Sequence, residues 1–335
     1  MSPLLRLDAL HVTLNVEGER RPVLHDVSLD VAAGEAVGLV GESGSGKSMT
    51  VRSILRVLPR GAEASGRIDF DGADVLAMPG KELRRFRSHE VAVIHQDPRA
   101  AINPVSTVGD FLVEALIANH REDAREARAR VQRILSDVGI PDAARRMRQY
   151  PHELSGGLLQ RVVIAAALAV RPRLILADEP TTALDVTTQS EVMGILDEMR
   201  REHGLAMLFI THDLELAGAV CDRIAVMYAG SIVEEARPQA LEDRPRHPYS
   251  RLLLDSRPRI DQVADRLEVI PGRPISAFEA GSGCALAPRC PYAEPECTAT
   301  APVLRPVGEG RVRCHRTEEL ESALRRSDKE ASDAV

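Results

Sequence analysis

Eight consecutive residues, Gly41-Glu42-Ser43-Gly44-Ser45-Gly46-Lys47-Ser48, have the types and spacing to hold a polyphosphate. They fit the pattern G-x-x-x-x-G-K-S/T in full. The glycines let the backbone curl, so that successive N–H groups point inward at an anion. Lys47 is placed to reach the β- and γ-phosphates, and Ser48 to ligate Mg²⁺. Met49 opens the helix that follows and joins the binding set. A second group is acidic. The apolar run Leu174–Ala177 ends in Asp178-Glu179. Side chains alternate along a strand, so one carboxylate can serve the metal shell while the next faces an attacking water. Gln96 and His212 end two further apolar runs, and three runs ending this way can share one edge of a parallel sheet. Ser155-Gly156-Gly157 opens a helix, where it is either an anion site or a serine cap with a flexible entry turn.

The elements that must position these groups are readable from periodicity. Ala36–Val40 is an apolar run of strand length, and residues 49–58 have helical spacing that stops before Pro59-Arg60-Gly61. Strand, glycine loop, helix is the context the phosphate pattern requires. Residues 4–33 alternate apolar and polar, which predicts short antiparallel strands; residues 66–72 predict another ending in a turn. Residues 107–150 read as helical, with a stretch at 121–130 charged nearly all round that becomes amphipathic at Val131, Ile134, Leu135 and Val138. Acids interleave with the arginines, so a solvated face is favoured over a nucleic-acid-binding helix. A further helix is predicted at about 188–202.

The chain of 335 residues carries a formal charge of −7, which argues against nucleic acid as a partner bound by bulk electrostatics. Hydrophobic residues make up 44%, enough for a core, although aromatics are only 3%. No stretch of about 20 apolar residues is present, and the first residues do not form a signal peptide, so a cytoplasmic location is expected. There, clustered cysteines more often bind metal than form disulfides. Cys284, Cys290, Cys297 and Cys314 follow the spacing C-x5-C-x6-C-x16-C in a proline-rich segment. A metal clip would supply folding energy to such a segment. Four thiolates suit zinc or an iron–sulfur cluster, and the absence of C-x-x-C pairs weakens zinc. Free thiols or oxidation-prone pairs are the alternative. Cys221 reads as a small buried residue.

Taken together, Gly41–Ser48, Gln96, Leu154-Ser155-Gly156-Gly157, Asp178-Glu179, Ala183-Leu184-Asp185 and His212 resemble the ordered motif set of an ATP-binding-cassette (ABC) ATPase, over roughly residues 4–235. The tail adds Arg246-His247-Pro248-Tyr249, Ile270-Pro271-Gly272-Arg273-Pro274 and the cysteines, which are similar to the C-terminal region of oligopeptide and dipeptide importer ATPases. The resemblance implies an α/β fold: a P-loop NTPase (RecA-like) core with an N-terminal antiparallel β subdomain, an inserted helical subdomain at about 97–157 and a small Cys-containing C-terminal domain at 236–316. Residues 317–335 are expected to be a flexible tail. It further implies that ATP is sandwiched between Gly41–Ser48 of one cassette and Ser155-Gly156-Gly157 of another, with Asp185 at that junction. Glu179 would be the catalytic base, His212 would hold the γ-phosphate, and Ser48, Gln96 and Asp178 would hold Mg²⁺. Implied partners are a second ABC ATPase in a heterodimer, two membrane permeases docked near 97–150 and an extracytoplasmic solute-binding protein, with this chain on the cytoplasmic face of the membrane. Similar importer ATPases carry a 4Fe-4S cluster at the four cysteines. The runner-up cargo is nickel or another small solute, and the runner-up class is a soluble ABC protein. Three positions depart from the family, one of them His95, which replaces the usual Phe before Gln96. No aromatic precedes Phe70 to stack on adenine, which leaves Leu14, Arg20 or Arg21 for that role. Leu159 replaces the usual arginine after the signature and is expected to weaken electrostatics across the dimer.

Overall fold

The computed structural model describes residues 2–181, 184–256 and 270–325. The strands are β1 (Leu5–Val16), β2 (Glu19–Val31), β3 (Ala36–Val40), β4 (Glu63–Phe70), β5 (Ala73–Asp74), β6 (Val91–Ile94), β7 (Leu174–Asp178), β8 (Ala206–Thr211), β9 (Arg223–Tyr228), β10 (Ser231–Ala236), β11 (Arg305–Val307) and β12 (Gly310–Val312). Packing divides the chain into two units. One holds Val31–Ala36 and Ala77–Ile210; the other holds Leu5–Asp30, Val37–Leu76 and the described residues from Thr211 onward.

In the second unit, β2, β1, β4 and β5 form a sheet in that order. Residues 4–33 make two long strands rather than the short ones expected. Pro22 is tolerated inside β2 because β2 lies at the sheet edge, where a missing N–H breaks no ladder. The β1–β4 register slips between Asp8 and His11, with Ala9 at φ 45°. The extra residue explains why Leu5 and Leu7 are followed by Leu10 and Val12, all buried: the inward face shifts by one at the bulge. The same unit contains β11, β12, β10, β9 and β3 in that order. β3 runs parallel to β9, Val37 opposite Arg223 through Val40 opposite Val226. All five β3 residues are buried, which is why the strand reads as an unbroken apolar run.

In the first unit, β6, β7 and β8 are parallel, with Val91 opposite Leu174 and Leu174 opposite Ala206. Helices Val108–His120, Ala124–Asp137, Gly156–Ala169 and Val186–His203 are each started by a side-chain oxygen that accepts a backbone N–H: Thr107, Asp123, Ser155 and Asp185. The arginine-rich helix buries Ala127, Val131 and Leu135 at a spacing of four, while Arg128 pairs with Asp110 at 2.6 Å and Arg130 with Glu122. It is a solvated amphipathic helix, as its interleaved acids imply.

Three boundaries differ from expectation. The helix after the glycine loop spans Lys47–Ile54 and stops because Arg56 turns to φ 52°. The helix expected at 188–202 is Val186–His203. Residues 317–325 are packed chain rather than loose tail, since Leu320 and Leu324, four apart, are both buried; residues 326–335 lie outside the described ones. Among the described residues no helix is long and apolar enough to cross a membrane.

Candidate functional site

The phosphate loop begins where β3 ends and wraps the start of helix Lys47–Ile54. Lys47 is buried, and its ammonium donates to the carbonyl oxygens of Gly41 at 2.7 Å and Glu42 at 3.0 Å. The cation therefore spans the loop's own opening. Gly46 sits at φ 111°, a backbone state that favours glycine, and a Cβ there would lie 2.8 Å from Leu24 Cδ2 and 2.9 Å from Met227 Cε. Ser43, Gly44 and Ser48 are exposed and Met49 is half-buried. Ser45 Oγ is buried with no hydrogen-bond partner, a polar atom the loop itself does not satisfy.

The C-terminal region braces this loop. Glu42 N–H donates to Tyr249 Oη at 3.0 Å, and Tyr249 Oη donates to Glu42 Oε2 at 3.3 Å. Arg289 Nη1 donates to Glu42 Oε2 at 2.9 Å and to Tyr228 Oη at 3.3 Å, and Arg289 Nε to the Pro271 carbonyl at 2.7 Å. Tyr228 and Tyr249 pack ring to ring at 4.6 Å. The buried His247 caps the helix carrying Tyr249, accepting its N–H at 3.1 Å, and burial pushes the imidazole pKa down to about 3, so it stays neutral. Glu234 on β10 accepts the amides of Arg246 and His247 at 2.7 and 2.9 Å.

The first unit carries the carboxylates. Asp178 is the last residue of β7. Glu179 follows at φ 47°, with its N–H on the Ile210 carbonyl at 2.9 Å, and accepts Gln96 Nε2 at 3.0 Å. A non-glycine residue held at positive φ stores roughly 1 kcal/mol or more and is concentrated at working sites. The predicted meeting of Gln96 with Glu179 is thus present. His212 is exposed directly after β8. In the first unit, Ser155, Gly156, Gly157 and Asp185 line one cleft with Arg161 and Thr188. Gly157 is required there, since a Cβ would sit 2.6 Å from Thr188 Cγ2. Thr188 N–H and Oγ1 donate to Asp185 at 3.0 and 2.8 Å and hold its carboxyl below the usual range. Leu159 is buried.

All four C-terminal cysteines, with His315, line one pocket whose walls include Leu286, Ala287 and Leu320. Burial raises the pKa of the Cys284, Cys290 and Cys314 thiols, Cys290 up to about 11, while amides of Leu286, Tyr292 and Arg316 work against that rise. Among the described residues no group of three or more His, Cys, Asp or Glu is set to hold a metal ion. Cys221 is buried, as expected.

Sequence reasoning missed the bracing residues Glu42, Tyr249 and Arg289. It also missed Phe278, which is 48% exposed and lies over the Arg21 guanidinium at 5.5 Å. Its neighbour Ala277 accepts His25 Nε2 on β2 at 2.8 Å. Arg20 pairs with Glu63 instead. The only signal was the scarcity of aromatics, which left few candidates.

A glycine loop between β3 and a helix, with its buried lysine, defines the class: a P-loop ATPase. A family model described as ABC transporter matches residues 24–182, and one described as the C-terminal region of oligopeptide/dipeptide transporters matches 233–297. The chain belongs to the ABC transporter ATPase family, in its oligopeptide/dipeptide branch. It is 40% identical to the oligopeptide transport ATP-binding protein OppD of Escherichia coli over 92% of each chain. It is 41% identical to the dipeptide transport ATP-binding protein DppD of the same organism, over 93% of this chain and 96% of that one. A putative peptide import ATP-binding protein of Brucella abortus is 42% identical, over 93% and 95%. Among solved structures, a dimeric ATP-binding cassette in a post-hydrolysis state bound to ADP and Pi matches with TM-score 0.63 and 29% identity, covering 70% of this chain and 98% of that one.

Proposed function

We propose that this chain hydrolyses ATP to drive import of peptides, working from the cytoplasmic face of a membrane. The observation that carries the cargo class is the C-terminal match at 233–297, on a chain that aligns with peptide-transport relatives over more than nine-tenths of its length. In this reading residues 1–235 are the cassette, 97–157 its helical subdomain with 97–150 docking two permeases, and 236–316 the transporter-specific region. A second, related ATPase completes the working pair, and an extracytoplasmic solute-binding protein delivers cargo.

The roles follow from chemistry. Amides of Gly41, Ser43, Gly44, Gly46 and Met49 cradle phosphate oxygens, and Lys47 leaves its loop carbonyls for the β- and γ-phosphates. Ser48, Gln96 and Asp178 carry the hard oxygen donors that would hold Mg²⁺, which would supply positive charge against the phosphates. Glu179 accepts a proton from water as that water attacks the γ-phosphorus and the bond to the bridging oxygen breaks. His212 donates to the γ-phosphate. Ser155, Gly156, Gly157 and Asp185 face the nucleotide of the paired cassette. The decisive experiment reconstitutes the chain with its permeases in vesicles. Peptide-loaded binding protein is expected to stimulate ATP hydrolysis and labelled peptide to accumulate. Accumulation of nickel instead, or no stimulation, removes the peptide reading.

The four cysteines are proposed to ligate a 4Fe-4S cluster. Support comes from their convergence on one pocket with amides directed at three sulfurs, which favour the thiolate form against the burial that opposes it. Anaerobically purified protein is expected to be brown, with about four irons and matching sulfide per chain. Stoichiometric zinc, or no metal at all, sinks the assignment.

A further inference from the structure

We infer that Arg289 is a positioning residue for nucleotide binding: its guanidinium holds and neutralises Glu42, the acid inside the phosphate loop, so that this carboxylate neither repels the polyphosphate nor offsets the charge of Lys47. The inference rests on the nucleotide reading of Gly41–Ser48 and deepens it. Glu42 is the second residue of that loop, and its carbonyl already accepts Lys47. An unpaired carboxylate there would repel the ligand's phosphates and compete for the lysine. Arg289 meets it with two donors, Nη1 to Oε2 at 2.9 Å and Nη2 to Oε1 at 3.4 Å, from a side chain 4% exposed. The guanidinium is itself fixed by Pro271 and Tyr228, so its place does not depend on Glu42 alone. A fork held in this way is a template for one carboxylate orientation, which a flexible lysine would not reproduce. Tyr249 adds the last contact, holding the Glu42 main chain and side chain from the His-Pro-Tyr helix.

An ordinary buried ion pair that only fastens the C-terminal region is the competing explanation, and neutralising the two partners singly and together separates them. ATP affinity is measured on the full chain by calorimetry, with thermal unfolding recorded for every variant. Arg289→Gln leaves Glu42 unneutralised and is expected to weaken ATP about tenfold; Glu42→Gln leaves the guanidinium unopposed and is expected to tighten it a few-fold. The double variant should return to within about threefold of wild type, and the Arg289→Gln defect should shrink in 1 M salt. A double variant as weak as Arg289→Gln overturns the proposal and leaves Arg289 a fastening of the C-terminal region. If Arg289→Gln does not fold, Glu42→Gln decides alone: unchanged or weaker ATP binding refutes the charge role. Failure of wild type to bind ATP would fall on the nucleotide reading instead, before any variant is compared.

Discussion

Replacing Glu179 by Gln lowers phosphate release from the assembled transporter by about a hundredfold or more, while ATP affinity stays within about threefold of wild type. The split follows from the role. In the proposed role the carboxylate takes a proton only as water attacks, so its loss would fall on the transition state and not on ground-state binding. Geometry favours a clean result, because the amide oxygen of glutamine can still accept Gln96 Nε2, and the φ of 47° is a constraint on the backbone that the substitution does not alter. Turnover that survives the substitution would show that another group activates the water.

Gly41→Ala should be the most damaging single-methyl change in the phosphate loop. A Cβ at that position would sit 2.1 Å from the Met227 carbonyl oxygen and 2.9 Å from Ser45 Oγ. The nearer neighbour is main chain and cannot rotate aside, so the loop must move. The expected outcome is a loss of about 2 kcal/mol or more, several degrees in Tm, and ATP affinity reduced by an order of magnitude or more. Gly44→Ala is the control for crowding. That residue lies at φ 80° with nothing within 4 Å of the added carbon, so only backbone strain of roughly 1 kcal/mol is incurred. Equal destabilisation of the two variants would mean that crowding by Met227 is not what demands glycine at 41.

The chemistry-bearing stretches were legible because their signals are local. A phosphate loop, a strand ending in two acids and a serine before a glycine pair each encode backbone geometry within a few residues, and Gly41–Ser48, Asp178-Glu179 and Ser155 fall on the elements read for them. The N-terminal strands were misjudged because Gly18 and Pro22 look like breaks, whereas an edge strand accommodates a proline. Residues 317–325 read as loose because their charges outweigh two leucines four residues apart, both of which are buried. The bracing of Glu42 left no trace in any spacing. Its partners are 207 and 247 residues away, and only the fold brings them to the loop.

That long-range brace bears on how the protein can be dissected. A shortened cassette ending just after β10 would keep every sequence signature of nucleotide hydrolysis and lose both Tyr249 and Arg289. Such a truncation would leave an acidic residue uncompensated beside the ligand's anionic tail. Its poor affinity would then mimic a damaged catalytic motif, although no motif had been touched. A surrogate for the full subunit therefore has to reach past residue 289, or carry a neutral side chain at position 42.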